Sequence, residues 1–244
     1  MRLPLLCAAC IQAKRPPHEC TVLAAPNESG VYDITCRAGH QSLVALAATR
    51  HEQLFELGLA AINDQYFREA VSSFSAALER FYEFSIRVLA ADAGIKPEEF
   101  NAAWKNLSRQ SERQLGAFIA THLIVEKSVP KVLASKETEF RNDVVHKGRF
   151  PSKAEALKFG DSVLSVIKPT LTLLRSRHEA ALHSEWQKHL DEALQSPQLR
   201  GRIVNRHYPA MTLRNIELDE TESRDTEYYV WILGVRHGYL SGAR

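Results

Sequence analysis

Four cysteines fall within the first 36 residues of the 244-residue chain, and their spacing suits a metal ion better than a disulfide framework. Cys7 and Cys10 are separated by two residues, so one tight backbone knuckle can turn both thiolates toward a single ion. Cys36-Arg-Ala-Gly-His40 supplies a second pair after 25 intervening residues, and Gly39 permits the sharp backbone path that a second knuckle needs. Thiolates and imidazole in that number match Zn2+, with His18 and Cys20 as spare candidates for one of the four places. A closed four-ligand site keeps no open position for water, so the zinc is expected to be a structural staple. A segment of about 46 residues cannot build an adequate core unaided, and loss of the metal is expected to unfold it. Four unrelated free cysteines are the alternative reading.

A second constellation is Arg141-Asn142-Asp143-Val144-Val145-His146. It follows a helix-like apolar pattern that ends at Gly148, a glycine placed as a helix C-cap, which puts His146 in the final turn. The negative end of the helix dipole favours a protonated imidazole there, so His146 is expected to titrate near neutral pH and to exchange a proton. Arg141 is always charged and presents a planar fork suited to a phosphodiester, and Lys147 and Arg149 would add phosphate contacts. At about 100° per residue, Asn142 and His146 share a face, whereas Arg141 and His146 stand roughly 140° apart. Convergence of these two is expected to need a loosened helix, or the same motif from a second chain across a two-fold axis. The plainer reading is that His146 only caps its helix.

The segment resembles the HEPN family: an Arg, a polar residue beside it, and a His after four residues, late in a helical bundle, followed by a Gly and a Pro-Ser-x-x-Glu helix start. The resemblance covers about residues 48 to 180 and implies a helical bundle, many of whose members are ribonucleases that cut without a metal. It implies that Arg141 holds and neutralises the scissile phosphate and that Asn142 positions groups by hydrogen bonds. His146 would serve in acid–base transfer as the RNA 2′-OH attacks phosphorus, leaving a 2′,3′-cyclic phosphate. Family members commonly complete their cleft as homodimers and belong to toxin–antitoxin, CRISPR-associated or phage-defence systems, so RNA, a second copy and an antitoxin or defence-system protein are the implied partners. The competing reading is a non-catalytic module that dimerises through the bundle while the zinc ribbon, with Lys14, Arg15 and Arg37, recognises nucleic acid or protein. A third is a regulatory component of a larger defence complex, docked through an apolar patch on the C-terminal segment.

These residues need a scaffold, and the pattern supplies one. Hydrophobic residues are 45% and charged residues 25% of the chain, an ordinary globular profile, and a net charge of +2 argues for no global nucleic-acid or membrane field. The start Met1-Arg-Leu-Pro-Leu-Leu imitates a signal peptide, but its apolar run holds a proline and ends at Lys14-Arg15. With no apolar stretch long enough for a membrane span, a reducing cytoplasm is expected.

The expected fold class is mainly α, a HEPN-like helical bundle at 48–196 between a small zinc-ribbon-like β-module at 1–46 and a short β-rich extension at 197–244. In the first, Asn27 to Gly30 reads as a turn before a strand at Val31 to Thr35. In the second, apolar spacing predicts helices over about Thr49 to Ile62, Gln65 to Ala91, from Pro97 through Leu107, and over Glu112 to Leu123. Ser152-Lys-Ala-Glu155 predicts a capping box opening a helix to Ile167 or beyond, which Pro169 should end or kink. A polar helix from about Leu171 to Gln195 follows, with His178, His183 and His189 on a solvated face. The apolar run Thr226 to Val235, after a turn at Asp219 to Asp225, is expected to be a strand.

Overall fold

The computed structural model describes residues 2–195, 204–208 and 225–237. It is mainly helical with a small β region. Strand β1 (Leu3–Leu6) pairs antiparallel with β2 (Thr21–Ala24), Leu3 opposite Ala24, and two short helices lie between them, α1 (Ala8–Gln12) and α2 (Pro17–Cys20). The Asn27 turn forms as the sequence predicts: the Asn27 Oδ1 accepts from the Gly30 amide at 2.8 Å, and Gly30 takes φ +63°, a left-handed value open to glycine. It leads into β3 (Val31–Thr35), antiparallel to β4 (Gln41–Leu46).

A third strand joins from the far end of the chain. In β5 (Val204–His207), Val204 lies opposite Leu43 in a parallel pair with β4, giving the order β3-β4-β5. Parallel neighbours require a crossover, and here it contains the long helices from Arg50–Asn63 to Glu179–Leu194. Leu3, Leu5, Tyr32, Ile34, Val44 and Leu46 form a small buried cluster on which Leu57 of the first long helix packs.

That helix, α3 (Arg50–Asn63), opens on a capping box formed by Thr49 and Glu52, with the Thr49 amide donating to Glu52 Oε2 at 2.7 Å. It forms the expected hairpin with α4 (Phe67–Asp92). Gly58 is required there, because a Cβ would lie 2.4 Å from Phe74 Cε1. α4 is the central element: Val71, Phe74, Leu78, Phe81 and Val88 are buried as their spacing predicts. Around it pack α6 (Ser111–Glu126), α7 (Ser135–His146), α8 (Lys153–Arg177) and α9 (Glu179–Leu194), while α5 (Pro97–Leu107) starts with proline at its first turn.

The Ser152 capping box is present, with the Ser152 amide donating to Glu155 Oε2 at 2.8 Å, but Pro169 does not end α8. A mid-helix proline costs roughly 3 kcal/mol. Val166, Ile167, Leu171 and Leu174, which flank it on both sides, are all fully buried, and each contributes about 1.5–3 kcal/mol of burial. The core therefore carries the helix past Pro169 as far as Arg177.

Two further expectations are corrected. His178 lies at the break between α8 and α9, where its Nδ1 is 2.7 Å from Asp92 Oδ2 and its Nε2 2.5 Å from Glu126 Oε1. It is buried rather than solvated, whereas His183 is exposed as expected. Residues 226–235 are helix, within α10 (Thr226–His237), and not strand. The Tyr228 amide donates to Asp225 Oδ1 at 2.8 Å, an N-cap, and the Thr226 amide donates to Asp161 Oδ1 at 2.7 Å. Thr226, Tyr229, Val230 and Leu233 are buried at helical spacing. The helix approaches α8 so closely that a Cβ on Gly160 would meet Thr226 Oγ1 at 2.6 Å. The C-terminal segment therefore supplies one described strand, β5, and one helix; its remaining expected strands, the turn before Asp225, and residues 197–203 lie outside the described residues.

Candidate functional site

β1 delivers Cys7 to the N-terminus of α1 and Cys10 to its first turns, and the β3–β4 hairpin brings Cys36 and His40 up to them. Gly39 has φ +81°, and its amide donates to Cys36 O at 2.9 Å, which closes the second knuckle. The four ligand atoms of Cys7, Cys10, Cys36 and His40 lie within 4.8 Å of one another, a cluster that can hold a metal ion. Cys10 Sγ is 3.6 Å from Cys36 Sγ, and His40 Nδ1 is 3.3, 3.5 and 3.9 Å from Cys10, Cys36 and Cys7 Sγ.

A tetrahedral ion with bonds of about 2.3 Å to sulfur and 2.05 Å to nitrogen gives edges of roughly 3.8 and 3.5 Å, close to these four distances, so the donor set suits such an ion. Burial pushes the Cys10 thiol up to about 12, and the Cys36 and Cys7 sulfurs add to the push. Burial also opposes ionisation at Cys7 and Cys36, but hydrogen bonds from the backbone of Cys10 and the hydroxyl of Ser42 to the one, and from the backbone of His40 and Ala38 to the other, hold both below the ordinary thiol range. Cys20 is buried beside them, yet its Sγ reaches Arg15 O at 3.5 Å and stands outside the set of four. The His18 side chain lies outside the described residues.

The second group forms where α7 crosses α4, pinned by the fully buried Val144. Arg141 reaches back across α4: its Nε donates to Ser75 Oγ at 2.8 Å and its Nη2 to Glu79 Oε1 at 2.7 Å. The remaining nitrogen, Nη1, donates to Asn142 Oδ1 at 3.0 Å and stands 3.5 Å from His146 Nε2. Arg141 and His146 thus meet within one chain, although their Cα atoms point apart on the helix; the length of the arginine spans the angle. Neither a loosened helix nor a second copy is needed for that contact.

Arg141 and Asn142 are half-buried and His146 is exposed at the rim. Arg141 and Asn142 border a small hollow of about 140 Å³ with Tyr82, Leu115 and Thr138, and His146 is not part of its lining. Burial, and then the Glu79 charge, push the Tyr82 phenol up, so it stays protonated and can donate. Gly148, at φ +75°, ends α7 as the sequence predicts.

The other two basic residues go elsewhere. Lys147 is exposed and pairs with Asp143 at 3.0 Å. Arg149 pairs with Glu155, lies 3.8 Å from Asp143 and caps the ring of Phe140 at 5.0 Å, on the side of α7 that lines a separate cavity of about 290 Å³. Arg141, Asn142 and His146 are therefore brought together; Arg149 is not with them. Sequence reading missed Ser75 and Glu79, which fix Arg141. Their only signal in the sequence is their spacing four apart on α4.

Comparison of the chain with family models, with curated proteins and with solved structures gave no match.

Proposed function

We propose that the chain is an RNA endonuclease of the HEPN kind, cutting through attack of the 2′-OH with Arg141, Asn142 and His146 as its site. The observation that carries the reading is the 3.5 Å approach of Arg141 Nη1 to an exposed His146 Nε2, with the guanidinium fixed from behind by Ser75 and Glu79. A cation and a proton-transfer group then stand within reach of a single phosphodiester. Arg141 would neutralise charge on the phosphorane-like transition state, Asn142 would hold the guanidinium in plane, and His146 would take the 2′-OH proton or return one to the 5′-oxygen leaving group. The charge that a metal would otherwise supply comes from Arg141.

In the same reading the Cys7, Cys10, Cys36 and His40 cluster holds zinc as a structural ion, the chain acts as a cytoplasmic homodimer, and a toxin–antitoxin or phage-defence setting supplies its restraint or trigger. The ion pair between Arg141 and Glu79 favours one alternative, a non-catalytic RNA- or protein-binding module, because the carboxylate already takes part of the guanidinium's charge.

The test is incubation of the purified chain with labelled tRNA and single-stranded RNA, with and without EDTA, alongside His146→Ala and Arg141→Ala. Cleavage that persists in EDTA, leaves 2′,3′-cyclic phosphate ends and falls at least a hundredfold in either variant is expected, since general acid–base groups contribute roughly 10²–10⁴-fold. Cleavage that survives in both variants, or no cleavage by the folded protein, sinks the assignment and leaves the binding module.

A further inference from the structure

Further around α4, two cavities of about 580 and 230 Å³ meet at Glu83, Arg87 and His189, beneath the N-terminus of α3 and between α4, α5 and α9. Their walls carry Arg50, Arg80, Arg87, Lys96 and Lys188 against only two carboxylates, Glu83 and Glu185. Both acids are engaged. Glu83 is shared between Arg80 Nη1 at 2.5 Å and Arg87 Nη2 at 3.0 Å, and Glu185 is held by Lys188. One carboxylate between two guanidiniums leaves a full positive charge in the groove. Arg50 adds another at the mouth, where it pairs with Glu28, whose side chain is 95% exposed.

The positive charge is focused rather than spread along a track, and the opposite end of the groove is apolar. Ala90, Ala91 and Ile95 line it, with Ile95 left 45% exposed. The combined space falls within the roughly 300–1,000 Å³ of small-ligand sites. The guanidiniums also donate to neutral amides, Arg80 Nη2 to Gln114 Oε1 at 2.8 Å and Arg87 Nη1 to Asn101 Oδ1 at 3.0 Å, partners that an anion would have to displace. A cationic end of this kind, joined to an apolar floor, matches a compact organic phosphate, with oxygens on the guanidiniums and a flat apolar group on the floor. None of these residues belongs to the Arg141 group; on α4, Glu83, Arg87 and Arg80 stand about 40°, 80° and 100° around the helix from Glu79.

We propose that the groove between α4, α5 and α9 binds a nucleotide-sized phosphate-bearing ligand, its phosphates on Arg50, Arg80 and Arg87 and its base over Ala90, Ala91 and Ile95.

The probe is ATP, titrated calorimetrically into the full chain at low salt, with adenosine, inorganic pyrophosphate and a single-stranded RNA 20-mer as separate arms. ATP should bind, adenosine and pyrophosphate at least tenfold more weakly, because each lacks one half of the match. Arg87→Gln and Arg50→Gln should each weaken ATP about tenfold or more, the scale of one charge-assisted hydrogen bond, while Glu83→Gln, which removes a competing anion, should tighten it. Circular dichroism melts check that the variants fold; Arg50, at the rim, keeps the test valid if Arg87→Gln does not. Equal affinity for ATP and adenosine, equal affinity for ATP and pyrophosphate, unchanged binding in folded Arg50→Gln, no binding of ATP, or binding of the RNA 20-mer alone would each overturn the proposal.

Discussion

Replacing His178 by Gln should destabilise the protein in a way that depends on pH. The imidazole is nearly enclosed, with side-chain exposure of 8%, and joins two carboxylates from different helices, Asp92 at 2.7 Å and Glu126 at 2.5 Å. Glu126 is 2% exposed at its side chain and has one other partner, Arg177, at 2.8 Å. Breaking a buried ion pair costs about 3–5 kcal/mol because a charge is left uncompensated. Arg177 remains and Asp92 is partly solvated, and both discount that figure, so about 2–3 kcal/mol is expected near pH 6.

Burial lowers His178's basicity, but the Glu126 and Asp92 carboxylates outweigh it and raise its folded pKa above the ordinary imidazole value; its contribution is complete below that ordinary value and fades as pH rises through the raised one. For Glu126, burial opposes ionisation, yet the hydrogen bonds from His178 and Arg177 hold the carboxyl below the ordinary range; its contribution is present above that range and fades as pH falls through the lowered value. The stability difference between wild type and His178→Gln should therefore be largest between about pH 4.5 and 6.5 and shrink on both sides. Urea unfolding followed by far-ultraviolet circular dichroism at four pH values from 4 to 9 measures it. A difference below about 1 kcal/mol near pH 6, or one flat with pH, refutes the claim that this histidine is a charged bridge.

Two other outcomes follow from named contacts. The chain should purify with one zinc per molecule by atomic emission; Cys36→Ser should lose it and melt the β-module, while Cys20→Ser, outside the cluster of four, should retain it. Gly58→Ala should lower stability by about 1–3 kcal/mol in a denaturant titration, since its Cβ would stand 2.4 Å from the ring of the fully buried Phe74, and an unchanged midpoint would mean that the α3–α4 crossing can open freely.

How far the sequence reached depends on whether the deciding interaction was local. The Ser152 capping box, the Asn27 turn, Gly148 and the α3–α4 hairpin follow from residues within a few positions of one another, and the cysteine knuckles from ligand spacing. Residues 226–235 misled because aromatic and β-branched content was weighed above the Asp225 cap and the Thr226, Tyr229, Val230, Leu233 spacing, both of which were visible. Pro169 misled for the opposite reason: the local rule was sound, and burial on either side of it overrode it. Nothing in the sequence could place β5 beside β4, since a parallel pairing across more than a hundred residues leaves no periodic mark.

The geometry of the Arg141 group shows how residues that diverge on a helical wheel can still meet. On a helical wheel Arg141 and His146 diverge, and an argument from Cα directions alone demands a second chain. The contact is made instead by a long side chain drawn sideways by Ser75 and Glu79, residues more than sixty positions earlier. α4 is thus the element on which the site depends: one face is sealed in the core by Phe74, Leu78 and Phe81, which fixes the helix, and the neighbouring face holds the guanidinium. With Glu79 and Ser75 in place, Arg141 has little freedom left, so its Nη1, which donates to Asn142, is oriented before any ligand arrives. A carboxylate behind an arginine weakens its charge but fixes its direction, and under the proposed cleavage, direction is the property that binding alone does not provide.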